Sequence, residues 1–556
     1  MPTRRPFLLI AIVASSLAVA GVQRPFDDRA DASVQLLAFN DFHGTLEPAL
    51  DENGVVHTTP AGGAEYLATH LKRAAAQNPN TLVVAAGDLV GASPLISAAF
   101  HDEPTIASLN AMNLAIASVG NHEFDRGSAE LLRLQHGGCH PADGCRDGKR
   151  FDGATFQYLS ANVIDTATGA PILPPTAVRT LGGVTIGFIG ETLTGTSRIV
   201  GSSAVAGLTF LDEATTANTY AATLKRQGVN AIVLLIHEGG RQRPDDSRAD
   251  PNECADFSGD IARITTRLSG DIKVVVSAHT HRSYNCTIAG HTVTSAGSFG
   301  RMFTRIDLRI GRSSGRISRV RATNEIVTRD VDRDATQTEL IAKYRALSNP
   351  IAGRIVGSIA GSVMRASNVA GESALGDVIA DAQLATARST MLGGAAVAFM
   401  NPGGIRADLV STTATGIIRF GDLFAVLPFN NLVTTVTMTG DQIGRLLEQQ
   451  FDNPSQGRNI FLQASEGFTY RYAVKAKPGH HVAAGSVTVD GRRLAPGDRL
   501  RVAANDFLVD GGDGFTAFQG GMNRLNGALD LDALIAYFAT HSPVRPGPQN
   551  RIVRID

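Results

Sequence analysis

Tryptophan is absent, and aromatic residues make up only 6% of the 556-residue chain. Basic excess is missing as well: 51 Lys and Arg face 52 Asp and Glu, for a net charge of -1. No run of Lys and Arg occurs, which argues against a nucleic-acid polymer as partner. Cysteine is scarce, with Cys139, Cys145, Cys254 and Cys286 and no CxxC spacing. That argues against a thiolate zinc site. Four cysteines allow three pairings. Cys139 and Cys145 share one Gly-rich loop, so a local bridge is expected there, leaving Cys254 to pair with Cys286. Beyond the N-terminus no apolar run approaches the ~20 residues that span a bilayer. The C-terminal stretch Pro543 to Asp556 is polar and offers no anchor.

What is present begins with an export signal. Arg4 and Arg5 precede the apolar run Phe7 to Val13, small residues continue to Ala20, and Ala18-Val19-Ala20 suits a signal peptidase. Position 21 is Gly rather than Cys, which argues against lipid attachment. Residues 1–20 are thus expected to be removed from an exported, periplasmic or secreted protein without a membrane anchor. Hydrophobic residues at 43% and charged residues at 19% indicate a globular chain. The length implies more than one domain.

From about Ser33 to Glu325, short β-rich apolar runs alternate with helical stretches. Val34 to Phe39, Thr81 to Ala86, Ala231 to Ile236 and Ile272 to Ser277 read as buried strands, and Ala64 to Ala76 and Thr215 to Gln227 as helices. This predicts a layered α/β domain with its functional groups beyond the strand ends. Arg329 to Leu347, followed by Asn349-Pro350, reads as a partly helical linker. The texture then changes to helices at Leu375 to Ala387 and Thr439 to Gln450 among strands and turn-rich loops.

The strand ends carry Asn40-Asp41-Phe42-His43, then Gly87-Asp88, then Gly120-Asn121-His122-Glu123 with Asp125, then His237-Glu238, and last His279-Thr280-His281. Singly these are weak signals. In this order they resemble the calcineurin-like metallophosphoesterases. The resemblance implies a four-layer αββα sandwich holding two divalent ions. Asp88 would bridge them, with Asp41, His43 and His281 completing one site and Asn121, His237 and His279 the other. Two divalent ions outweigh the carboxylates of Asp41 and Asp88, leaving positive charge that suits a phosphate dianion. Mixed imidazole, amide and carboxylate donors fit Zn, Mn or Co better than Ca. By the same resemblance His122 points at the phosphoryl group and Asp125 orients it. Glu123 belongs to the motif with no direct role assigned.

Asn401-Pro402-Gly403-Gly404-Ile405-Arg406, Leu427-Pro428-Phe429-Asn430 and the stretch Asn505 to Phe515 narrow the resemblance to the 5'-nucleotidase family. It covers about Ser33 to Phe538. It implies a metallophosphoesterase domain over 31–328, a helical linker over 329–352 and an α+β substrate-binding domain over 353–556. Phe429 and Phe507 would clamp the base, a contact worth ~1–3 kcal/mol per base. Asp513 would accept from the ribose hydroxyls, Arg406 would fork onto the phosphate and Asn401 would bond base or ribose. Animal members often carry an Arg just before the Glu of the motif written here Glu372-Ser373-Ala374-Leu375-Gly376-Asp377. This chain has Gly371 there, with Arg365 the nearest basic residue upstream, so the phosphate clamp is expected to be thinner or supplied from elsewhere.

The expected activity is phosphate release from nucleoside 5'-monophosphates. Cleavage of UDP-sugars or 2',3'-cyclic nucleotides at the same centre is the alternative. A non-catalytic nucleotide-binding or adhesion protein is a third reading, but such proteins usually lose metal ligands, and here all seven and His122 are present.

Overall fold

The computed structural model describes residues 31–556 except 50–53, 202, 244–248, 412–414, 452 and 454–458. The expected signal peptide, 1–20, lies outside the described residues. A first sheet has the order Ile317–Ile326, Met302–Gly311, Asp31–Phe39, Thr81–Ala86, Leu114–Ser118, Gln157–Leu159. A second has the order Ser283–Ile288, His291–Ala296, Ile272–Val276, Ala231–His237, Val184–Thr192, Thr176–Leu181. In the first sheet Asp31–Phe39, Thr81–Ala86, Leu114–Ser118 and the edge strand Gln157–Leu159 run parallel, and the other edge is antiparallel. In the second the inner strands run parallel and antiparallel strands close both edges.

Strand periodicity explains how the layers stack. Successive side chains point to opposite faces. Val34, Leu36 and Ala38 therefore enter a core shared with Phe188, Val233 and Leu235 of the second sheet. Leu37 and Phe39 face the other way, onto Leu67 and Leu71 of the helix Ala64–Ala75 and Ile106 of Glu103–Ala111. On the far side, Ile232, Leu234 and Ile236 pack on Ala217, Ala221 and Leu224 of the helix Glu213–Arg226. Burial on both faces is why these strands read as continuous apolar runs. The result is the αββα sandwich. Asp212 caps the helix Glu213–Arg226, its side chain accepting from Thr215 N at 2.9 Å.

The helix that follows the sandwich is longer than its sequence suggests. It runs Ala335–Ala352 with Pro350 inside its last turn. Burial of Ser348 and a bond from Gly353 N–H to Asn349 O (2.8 Å) hold that turn past the proline. The helix is fastened to the sandwich by Gln337, which donates from Nε2 to Ser108 O (3.0 Å) and accepts from Ser108 Oγ (2.7 Å).

Beyond it, a third sheet has the order Gln463–Ala464, Val397–Met400, Arg499–Asn505, Leu432–Thr439, Met522–Leu529. The helices Ala374–Ala387 and Asp530–His541 pack together, burying Leu375, Val378, Leu534 and Phe538. Gly440–Glu448 buries Ile443, Leu446 and Leu447 in the adjoining core with Phe399 and Phe468. Cys139 is bridged to Cys145 and Cys254 to Cys286, the expected pairing. No helix among the described residues is long and apolar enough to cross a membrane.

Candidate functional site

The motif residues sit where parallel strands end and the chain turns sharply. Asp41, His43, Asp88, His279 and His281 all have left-handed backbone, with φ between 48° and 69°. That conformation is unfavourable for residues with a Cβ and clusters where surrounding structure overrides it for function. One glycine is dictated by contact. A Cβ on Gly120 would lie 2.1 Å from Asp88 Oδ1, so the Gly-Asn-His-Glu turn can pass Asp88 only with hydrogen at that position.

These turns bring the predicted ligands together. One donor atom each from Asp41, His43 and His281 lies within 4.8 Å of the others, and the same holds for Asp88, His237 and His279. Asp88 Oδ2 reaches both groups, 3.7 Å from His43 Nε2 and 3.0 Å from His237 Nε2. The donor set fits cations. His43 Nδ1 is 3.0 Å from Gly91 O, and His237 Nδ1 is 2.8 Å from Ala86 O. A carbonyl only accepts, so each Nδ1 carries hydrogen and each ring turns Nε2 inward, where a neutral ring would offer its lone pair. His43 Nε2 then lies 3.0 Å from His281 Nε2. Asn121 Oδ1 is buried without a hydrogen-bond partner. Buried polar atoms are seldom left so unless an ion or water serves them.

The electrostatics point the same way. Burial, foremost, holds His43 and His281 well below the ordinary imidazole range and His279 down at about 3. Burial alone would raise Asp88, but His237, His122 and His43 outweigh it and keep the carboxyl well below its usual value. Asp41 is raised, chiefly by burial. Burial would lower His237, yet Asp88 and Asp41 push it up to about 10. The pocket draws positive charge, as a proton or as a metal.

Two residues without an assigned role hold this geometry. Asn40 Nδ2 donates to Asp41 Oδ2 (2.6 Å) and Gly297 O (2.7 Å), and its Oδ1 accepts from Ala296 N (2.9 Å). Glu123 accepts backbone N–H groups from Asp88 (2.9 Å), Leu89 (2.8 Å) and Gly120 (2.5 Å). Both lie inside the motifs, but sequence order does not disclose which backbone they bind.

His122 Nδ1 lies 2.8 Å from Asp125 Oδ2. Burial would lower His122, but Asp125 and Asp88 raise it above its ordinary value. The His122 ring stacks on Phe429 of the C-terminal half, with centroids 5.6 Å apart and planes at 14°. The Arg406 guanidinium lies 5.8 Å from the centroid of the Phe429 ring. Asn401 Nδ2 donates to Asp513 Oδ2 (2.8 Å), and Asn505, which the sequence did not single out, donates to Asn401 Oδ1 (2.9 Å). His122, Asp125, Asn121 and His279 line one cavity with Asn401, Arg406, Phe429, Phe507 and Asp513, about 440 Å³ in volume. Asp41, His43, Asp88 and His237 are buried, each at most 1% exposed. Gly371 has φ 85°, and a Cβ there would lie 2.2 Å from the Phe461 ring, so this backbone has no room for a side chain. Arg365 instead braces Arg406, donating from Nη1 to its carbonyl at 3.3 Å.

Residues 34–283 match the family model of calcineurin-like phosphoesterases, and residues 354–520 match that of the 5'-nucleotidase C-terminal domain. The fold and its strand-end ligands define the class as a calcineurin-like metallophosphoesterase. The structure superposes on that of a 5'-nucleotidase precursor from Thermus thermophilus with a TM-score of 0.76, covering 94% of this chain and 100% of that one at 23% identity, so the two share a fold. The chain is 33% identical over 519 residues to the cell wall protein Lmo0130 of Listeria monocytogenes, spanning 87% of this chain and 64% of that protein. It is 29% identical over 513 residues to the endonuclease YhcR of Bacillus subtilis, spanning 91% of this chain but 39% of that longer protein. With both domains matched in sequence, the chain belongs to the 5'-nucleotidase family.

Proposed function

We propose that this chain is an exported, two-metal phosphohydrolase that releases phosphate from nucleoside 5'-monophosphates. The observation that carries the reading is the shared cavity: the His122–Asp125 pair and the proposed base and ribose contacts line the same space. Asp41, His43 and His281 would hold one ion and Asn121, His237 and His279 the other, with Asp88 between them. Zn, Mn and Co suit these donors. When bound, the ions polarise the phosphoryl group and activate water.

The remaining roles fall to the chain's own side chains. Arg406 binds the phosphate. His122, with Nδ1 engaged by Asp125, presents Nε2 to the phosphoryl oxygens or the leaving oxygen. Its raised proton affinity favours the imidazolium that this role requires. Phe429 spends one face on His122, so the base stacks on the other face and against Phe507. Asp513, steadied by Asn401, accepts from the ribose. The domain division at 31–328, 329–352 and 353–556 and an export signal at 1–20 complete the proposal. Two disulfides favour an oxidising compartment.

The test is phosphate release by the mature protein from AMP, UMP, 3'-AMP, 2',3'-cyclic AMP, UDP-glucose and p-nitrophenyl phosphate. Each substrate is assayed after chelation and again with Mn, Co, Zn or Mg restored. Metal-dependent release from 5'-monophosphates, well above the aryl phosphate, is expected. Release from the diester or cyclic substrates alone would move the substrate assignment, and no release with any metal would overturn the reading.

A further inference from the structure

A second group of metal-type donors shares no residue with the first. His101 follows the short helix Leu95–Ala98, Glu130 lies in the helix Ser128–His136, and His140 sits in the loop closed by Cys139–Cys145. One donor atom from each lies within 4.8 Å of the other two. The two imidazoles stack with centroids 3.7 Å apart and planes at 6°. Asp143, from the same loop, brings Oδ2 to 2.8 Å from His101 Nε2 and 4.0 Å from His140 Nδ1. The side chains of His101, Glu130 and His140 are only 11%, 12% and 20% exposed.

This convergence has no role in the proposed reaction. Burial, and then His140, keep His101 below the ordinary imidazole range, so protonation is not what draws the rings together. Glu130 is gripped by Arg133 through two 2.8 Å bonds, which fix its carboxylate. A carboxylate has about four lone-pair sites, so donor capacity remains. Two imidazoles and two carboxylates make a four-donor set for one divalent ion. Imidazole ligation selects against Ca and Mg, and a four-coordinate N/O shell is one that zinc accepts.

We propose that His101, Glu130, His140 and Asp143 form a third metal site, for a zinc-class divalent ion, that pins the Cys139–Cys145 loop to the sandwich. Stacked rings present their lone pairs side by side, so binding turns one ring out of the stack. Of the four residues, His101 and Glu130 also line the nucleotide cavity, whereas His140 and Asp143 do not.

The experiment is metal content by mass spectrometry of the full mature chain reconstituted with zinc, freed of excess by gel filtration. Wild type is expected to keep about three equivalents. His140→Ala, and the more conservative His140→Asn, are expected to keep about two, with unchanged turnover of whatever substrate the wild type accepts. Asp88→Asn should lose metal from the centre and retain the outer ion. Excess zinc should raise the melting temperature of wild type already loaded at the centre, and not that of either His140 variant. Two equivalents in wild type, or three in a properly folded His140 variant, would overturn the proposal. A turnover failure with a third equivalent present would count against the proposed function and leave this site standing.

Discussion

At the scale of single residues, the proposed metal ligands depend on side chains outside the proposed ligand set. Glu123 collects three backbone N–H groups from the two turns that carry Asp88 and Asn121. Glu123→Gln leaves one oxygen for that work and adds a donor facing N–H groups. The expected outcome is a loss of metal affinity of roughly 10–100-fold, the usual effect of removing a residue that orients a ligand, read by chelator competition. Unchanged affinity would show that the turns hold themselves. Asp125 raises the proton affinity of His122. If protonated His122 is the active form, rate falls as pH rises through that pKa. Asp125→Asn removes one of the groups holding it up, so the alkaline limb of kcat against pH should move to lower pH. A limb that stays in place, or moves upward, would contradict the pairing.

At the scale of elements, capping decides where helices begin. The helix Gly440–Glu448 opens with Thr439 and Gln442 in a reciprocal box: Gln442 N–H donates to Thr439 Oγ1 (3.2 Å), and Thr439 N–H donates to Gln442 Oε1 (2.7 Å). Thr439→Ala should cost about 1 kcal/mol of stability, measured by urea unfolding, with kcat for AMP unchanged because neither Thr439 nor Gln442 lines the cavity. Strand ends show the opposite economy. The turns after Phe39, Ala86 and Val276 put five of the proposed ligands in left-handed backbone, so local stability yields there to ligand placement.

At the scale of the whole molecule, the stack of Phe429 on His122 joins the two halves at the proposed site. Phe507→Ala should raise KM for AMP far more than for p-nitrophenyl phosphate, because only the nucleotide carries a base to clamp. Phe429→Ala should do the same and also lower kcat, because it removes a ring that packs on His122. Equal effects of Phe507→Ala on both substrates would reduce Phe507 to a packing residue. A closing motion about the helix Ala335–Ala352 would have to work through its C-terminal end, because Gln337 ties its start to the sandwich.

The sequence by itself determined the main strands and helices of the sandwich, the candidate ligands and the expected disulfide partners. Each is written in contiguous residues or in a small set of choices: an apolar run ending in Asp-Phe-His or Gly-Asn-His-Glu carries its own position on a strand end. The same holds for Phe429, Phe507 and Asp513 as candidates, since their flanking motifs are local. Only the tertiary structure decided which groups meet. Asn40 bonds Gly297 and Ala296, more than 250 positions away, and His122 meets Phe429 across the whole helical connection. His101, Glu130 and His140 come from a helix end, a helix and a disulfide loop, with no shared motif. The course of the helix past Pro350 and the blocked position beneath Phe461 likewise depend on packing. Local patterns record what a residue can do; its partners are selected by burial and chain path, which no short stretch of sequence contains.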